Sequence, residues 1–282
     1  MPIILSLTQL DGVLWAAGPE GLFKLNGHGL EPVPQPQQEL ACCGTDGTRI
    51  LVGGQPHGTA FSLDAGENWQ ASWMDGVDTS VLCIAGDPRA AETGVLLAGS
   101  AGGGLLRSAN RGYGWQVCNF GLQDYTVLAI AWAPPAPATA WPQWEVVFAG
   151  TEDGVYRSPN GGRGWKRSEG LEGIVQALAV PPDFHTGQTV LAGTEDQGLW
   201  RSTDGGRSFA PVANGPQRVD AVTATPHGWL LSDAEGLWRS ADGLAWQLVP
   251  GSKPALVLLN TAEGVWAGGE HGVELVPHKG NG

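Results

Sequence analysis

The sequence predicts an all-β chain built from seven like units, and three observations carry that prediction. The frame Ser-x-Asp/Asn-x-Gly-x-x-Trp/Phe is written five times, once a residue short. A second piece, made of an apolar strand, a turn and another apolar strand, occurs seven times. The serines of the frame stand at 62, 108, 158, 202 and 240, so the steps between copies run from 38 to 50 residues. A unit near forty residues that holds four short strands is one blade of a β-propeller. Seven of them account for residues 1–282 as a single seven-bladed β-propeller of four-stranded antiparallel blades.

The frame itself is a hairpin. Its copies are Thr59–Trp69, Gly104–Trp115, Gly154–Trp165, Gly198–Phe209 and Gly236–Trp246. Each begins with an apolar strand segment such as Leu199-Trp200. The serine hydroxyl and the Asp or Asn side chain that follow accept hydrogen bonds from the backbone of the turn they sit in. A glycine then suits a position of positive φ. The closing Trp or Phe is expected to tuck beneath the turn, giving each hairpin a small core of its own. The structural residues are Ser62, Asp64 and Trp69; Ser108, Asn110 and Trp115; Ser158, Asn160 and Trp165; Ser202, Asp204 and Phe209; Ser240, Asp242 and Trp246.

These five copies resemble the Asp-box (BNR) repeat of sialidase-like β-propellers. That group includes sialidases, the sortilin-type ten-bladed domain, family 74 xyloglucanases and photosystem II assembly-factor propellers. The resemblance implies the fold with force. It says little about activity, because enzymes and binding proteins carry the repeat alike.

The seven two-strand pieces give the first and second strands of each blade. They are Ile4–Gly18, Leu40–Gly54, Val81–Gly99, Val127–Gly150, Ala177–Gly193, Val222–Ser232 and Leu256–Gly269. The hairpins give the third and fourth. Blade one carries a degenerate hairpin (21–33), and blade seven ends on GVELVPHKGNG. Strand residues are apolar on both sides, as they must be when a sheet lies between two others. The longest insertion, Pro134–Trp144, is expected to fold back on the propeller with its two tryptophans.

The ends predict how the ring closes. The first strand starts near Ile3, leaving nothing ahead of it to join another blade. The last repeat supplies three strands, and 277–282 are poor strand formers. The expectation is a three-stranded last blade, closed on blade one by side-chain packing alone. Its open edge would be blunted by Pro277 and Lys279.

In a propeller the turns between second and third strands share a face with the blade-to-blade connections. Here those turns are short and acidic: Glu20, Glu152, Asp153, Glu195, Asp196, Asp233, Glu235 and Glu270, with His57 in blade two. A ring of carboxylates on one face is a docking surface for a basic protein partner or a cation, either of which relieves their mutual repulsion. Net charge is −13 with a pI near 4.7, which disfavours nucleic acid and anionic membrane as partners.

No catalytic set emerges. A glycosidase needs two carboxylates across a cleft, and nothing in the sequence selects a pair. The resemblance to sialidases implies an arginine cluster, but Arg107, Arg157, Arg201 and Arg239 hold one structural position on successive blades. They are expected to lie along the blades, bridged to acidic neighbours. The six histidines are scattered, no metal spacing occurs, and no cofactor is implied. Four cysteines (42, 43, 83, 118) read as small buried residues, with Cys42 and Cys83 at matching places in adjacent repeats. With no basic leader and no long apolar run, the expected location is the cytoplasm. The reading is a non-catalytic interaction or assembly scaffold, most similar to the assembly-factor propellers. The alternative is a glycoside hydrolase of the sialidase or xyloglucanase kind.

Overall fold

A computed structural model describes residues 1–36, 39–56, 58–140, 143–213 and 215–278. It is a seven-bladed propeller, with four antiparallel strands in each of six blades and three in the last. The blade-four example fixes the pattern: Val127–Trp132, Val147–Thr151, Val155–Ser158 and Lys166–Arg167, from the inside outward. The second strands of blades four and five are buried along their whole length, whereas the fourth strands of blades five and six are two residues long and exposed. That gradient is what stacking blades side by side around an axis produces.

Why second strands end in Ala-Gly is a matter of close approach. A Cβ on Gly99 would stand 2.6 Å from the Val127 carbonyl, and one on Gly193 would stand 2.6 Å from Val219 Cγ1. Each time, the start of the next blade enters through the space a side chain would fill. The chain ends use the same device, since a Cβ on Gly268 would lie 2.8 Å from Ile4 Cγ2. Around it, Ile4, Leu7 and Leu14 pack with Val257, Trp266 and Val273.

The last blade is Val257–Asn260, Val265–Gly269 and Gly272–Val276, and no N-terminal strand joins its sheet. Closure is nevertheless not by side chains alone, which corrects the expectation. The Ile4 N–H donates to the Gly269 carbonyl at 3.1 Å. Its counterpart, Val219 N–H to Thr194 O at 3.0 Å, joins blades five and six, so the seam uses an ordinary blade junction. Pro277 follows the last strand; Lys279 lies outside the described residues.

The turn frame folds as its residues dictate. Ser158 Oγ donates to Asn160 Oδ1 at 2.8 Å and accepts the Gly162 N–H at 3.0 Å, while Asn160 Oδ1 also accepts from the Gly164 N–H at 3.1 Å. The Ser202/Asp204 turn repeats this, and its hydrogen bonds hold the Asp204 carboxyl down to about 2 despite partial burial. Hydrogen bonds to the Asn68 N–H and amide do the same for Asp64.

The aromatic residue that closes the frame is buried as expected, but the core it joins is not private to its hairpin and spans two blades. Trp165 is 6% exposed and sits in a cluster that mixes Leu97 and Leu105 of blade three with Val147 and Tyr156 of blade four. Its Nε1 donates to the Cys118 carbonyl of blade three at 3.0 Å. Trp115 and Phe209 are wedged in the same way against blades two and four. The aromatics are therefore inter-blade wedges. Backbone latches reinforce them: Trp165 N–H donates to Phe120 O at 2.8 Å, and Phe209 N–H to Glu169 O at 2.8 Å. In blade three the latch becomes a fifth, parallel strand, Trp73–Met74 beside Gly114–Val117.

The repeated arginines are corrected too. Arg107 Nε donates to Gly161 O at 3.0 Å, and Arg157 Nε to Gly205 O at 2.9 Å, each a turn carbonyl of the next blade rather than a carboxylate. Arg239 Nη2 reaches Pro277 O at 2.6 Å. Arg201 faces the turn that is one residue short, and its Nε has no partner among the described residues.

Candidate interaction face

The antiparallel up-and-down blades put every second-to-third-strand turn at the end where one blade passes to the next. Hydrogen bonds across the blades tie these segments together: Gly102 N–H to Tyr125 O at 3.0 Å, Glu195 N–H to Ile174 O at 3.2 Å, and Asp153 N–H to Asp124 Oδ2 at 3.0 Å. The opposite end carries the Ser-x-Asp/Asn turns, joined to the first-to-second-strand loops by Arg111 N–H to Gly94 O and Gly205 N–H to Gln188 O, both 2.9 Å.

Seven of the eight acidic residues singled out from the sequence sit in the turns between second and third strands, and Asp233 is the last residue of a second strand beside such a turn. The structure divides them by role. Glu20, Glu152, Glu195, Asp196, Glu235 and Glu270 are exposed. Asp233 is buried and spends its carboxylate on its own turn, accepting from the N–H groups of Glu235 at 2.8 Å and Gly236 at 3.2 Å. Asp153 accepts from Thr151 Oγ1 at 2.8 Å and Tyr156 OH at 3.2 Å, and pairs with Arg167 at 3.6 Å. Asp153 and Asp233 therefore belong to the scaffold and are not free for a ligand. His57 lies outside the described residues.

Sequence reasoning missed the connections between blades, which add Asp124, Glu172 and Asp220 to the same end. It also missed Arg167, which reaches Glu172 at 3.5 Å, and Arg218, paired with Asp220 at 2.7 Å. Outside the strands, Arg218 and Lys253 are the basic side chains that the described connections bring to this end. Arg49, Arg89, Arg111, Arg163 and Arg207 all lie in loops of the opposite end. Several are consumed there by carboxylates: Arg49 and Arg111 hold the buried Asp46 at 3.3 and 3.1 Å, and Arg89 and Arg163 hold Glu145 at 3.6 and 3.1 Å. The exposed turn carboxylates thus lie at one end and five loop arginines at the other. A signal for this existed in the sequence, because the arginines of the frame fall in turns that the repeat assigns to the far end.

Tyr156 is fully buried, and burial followed by the Asp153 charge pushes its hydroxyl above its usual range. No group of three or more His, Cys, Asp or Glu side chains among the described residues is arranged to hold a metal. Cys42 and Cys83 are free thiols that donate to different blades, Cys42 to Val81 O at 3.7 Å and Cys83 to Val127 O at 3.8 Å. Burial pushes Cys83 up to about 12. The insertion expected to pack on the propeller is held partly by its own Gln143, which donates to Pro137 O and Ala140 O at 2.9 and 2.7 Å. Trp144 is 52% exposed, and Trp141 lies outside the described residues.

No protein-family model and no curated protein matches the chain. Solved structures do. The extracellular domain of BT4673 from B. thetaiotaomicron aligns with TM-score 0.73 at 15% identity, over 97% of this chain and 38% of that one. An ancestral GH74 enzyme gives 0.73 at 18%, over 95% and 43%. YCF48 bound to D1 peptide gives 0.73 at 16%, over 96% and 92%. The chain thus spans less than half of the first two and nearly all of the third. At these identities the likeness defines the class, a seven-bladed β-propeller, and nothing narrower.

Proposed function

We propose that this propeller is a non-catalytic scaffold that binds a basic segment of a protein partner on its acidic face. The observation that carries the reading is the charge asymmetry of the two ends, with six exposed turn carboxylates on one and five of the six loop arginines on the other. Like charges crowded on a rigid ring repel, and a cationic partner gains the relief of that repulsion on binding. That YCF48, a propeller of nearly the same span, was solved with a peptide supports a protein partner over a small molecule.

The test is capture from the native source by the wild-type chain and by a variant carrying Glu152→Gln, Glu195→Gln, Asp196→Asn and Glu270→Gln. The reading expects a basic protein retained by the wild type, released between about 50 and 300 mM salt as the Debye length shrinks, and lost with the variant. Retention that is equal for both chains and indifferent to salt would contradict it. So would turnover of a β-glucan or sialoside by the wild type.

A further inference from the structure

Blades four and five meet at the outer rim over a groove of about 350 Å³, whose lining includes Arg157, Lys166, Ser168, Glu169, Asp204 and Arg207. Strand register places its cations. Arg157 of the third strand and Lys166 of the fourth stand directly opposite, so their side chains leave the same face of the blade. That face is the one turned to blade five, because Arg157 Nε donates to Gly205 O at 2.9 Å and Ser168 Oγ to Gly206 O at 2.6 Å. Arg207 closes the groove from the blade-five turn, where its Nη1 donates to Asp204 O. Burial, and after it the Arg207 charge, pushes the Arg157 guanidinium below its ordinary range, as two cations held close require.

Three positive charges thus converge on one groove of a chain whose net charge is −13. Among the described residues none of the three is in an ion pair. The two acids of the lining do not answer them. The Asp204 carboxylate accepts from Ser202 Oγ, from the N–H groups of Arg207 and Ser208, and from Ser208 Oγ, so its own turn uses it. Glu169 is exposed and is in no ion pair among the described residues. Neighbouring seams are built differently. Between blades three and four a groove of about 450 Å³ holds Arg107 and Arg163. There Gln116 takes the place of Lys166, and Arg163 is paired with Glu145 at 3.1 Å. Between blades five and six Arg201 stands opposite Ala210, and the turn 240–246 has no basic residue.

We propose that the groove between blades four and five binds a phosphoryl group carried on a serine or threonine side chain of a partner protein. Charge and shape select this ligand. A phosphorylated side chain brings a charge of about −1.5 to −2 and three outer oxygens, one for each cation, and guanidiniums grip such oxygens through paired N–H groups. A carboxylate offers less charge and one oxygen fewer. The exposed Glu169 and the net charge of the chain oppose a long polyanion such as nucleic acid. The groove is larger than a phosphoryl group, so the residue that bears it fits as well. It lies on the rim toward the Ser-x-Asp/Asn turns, away from the six exposed turn carboxylates, and the proposal does not rest on them.

Fluorescence anisotropy of a labelled Gly-Ala-phosphoserine-Ala-Gly peptide with the full chain tests this, at about 50 mM salt, where charges are less screened. Saturable binding is expected, at least about tenfold tighter than for the same peptide with serine or glutamate. Lys166→Gln and Arg207→Gln, both at exposed positions where substitution spares the fold, should each weaken it about three- to tenfold. Arg163→Gln in the neighbouring groove should leave it within about twofold. The variant lacking four acidic-face carboxylates should not weaken it, so this proposal and the preceding one fail separately. No saturable binding below roughly 1 mM, equal binding of the serine or glutamate peptide, or indifference to both Lys166→Gln and Arg207→Gln would overturn the proposal. So would binding of inorganic phosphate, followed by phosphorus NMR, without binding of the peptide, since the ligand would then be the free ion.

Discussion

Replacing Trp165 with alanine should be among the most damaging single changes in this protein. The side chain is 6% exposed and fills the seam between blades three and four. Truncating a buried aromatic of this size costs roughly 3–5 kcal/mol. The loss of the Nε1 bond leaves the half-buried Cys118 carbonyl short of a donor, adding up to about 1 kcal/mol. An effect of about 4–5 kcal/mol is therefore expected from urea unfolding, and about 1 kcal/mol for Trp165→Phe, which keeps most of the apolar surface. The wedge is tested by a double-mutant cycle with Leu97→Ala on the preceding blade. A shared seam predicts a coupling of about 0.5–3 kcal/mol, and a core private to the hairpin predicts additivity within about 0.5 kcal/mol. Additivity, or a Trp165→Ala chain with an unmoved midpoint, would refute the reasoning.

Two further outcomes follow from the turns. Arg157→Met should cost about 1–2 kcal/mol by breaking the bond to Gly205 O, whereas Arg201→Met, whose Nε has no partner among the described residues, should stay within about 0.5 kcal/mol of wild type; paired urea curves decide. Asp204 has its carboxyl lowered from the usual 3.8 to about 2, so its ionised form favours the folded state above about pH 4, and that contribution fades as pH falls toward 2. Wild type should accordingly exceed Asp204→Asn in stability at pH 6, the gap closing between about pH 4 and 2, as read from urea midpoints across that range. A gap constant with pH would show that the carboxylate is not held as described.

The blades were legible because their residues act within one hairpin. Ser158, Asn160 and the following glycines interact inside a span of a few residues, and such local chemistry repeats visibly. What crosses from blade to blade left no mark of its own. Trp165 stands beside its turn in sequence, but its acceptor is Cys118, 47 residues earlier. Arg157 finds a backbone carbonyl 48 residues later, and any residue could have supplied it. Glu152 and Asp153 look alike as neighbouring acids in one turn. Only the placement of Thr151, Tyr156 and Arg167 around Asp153 shows that one is exposed and the other committed to the fold. The three strands that the described residues give blade seven were readable from the sequence. The backbone bond from Ile4 to Gly269 that closes the ring was not, because its two partners stand at opposite ends of the sequence.

Hydrogen–deuterium exchange of the complex with the captured partner tests the scaffold reading most directly. The account predicts slowed exchange in the turns around Glu20, Glu152, Glu195 and Glu270, lost on raising salt to about 300 mM. Protection confined to the turns around Asp64, Asn110, Asn160 and Asp204, on the opposite end, would contradict it.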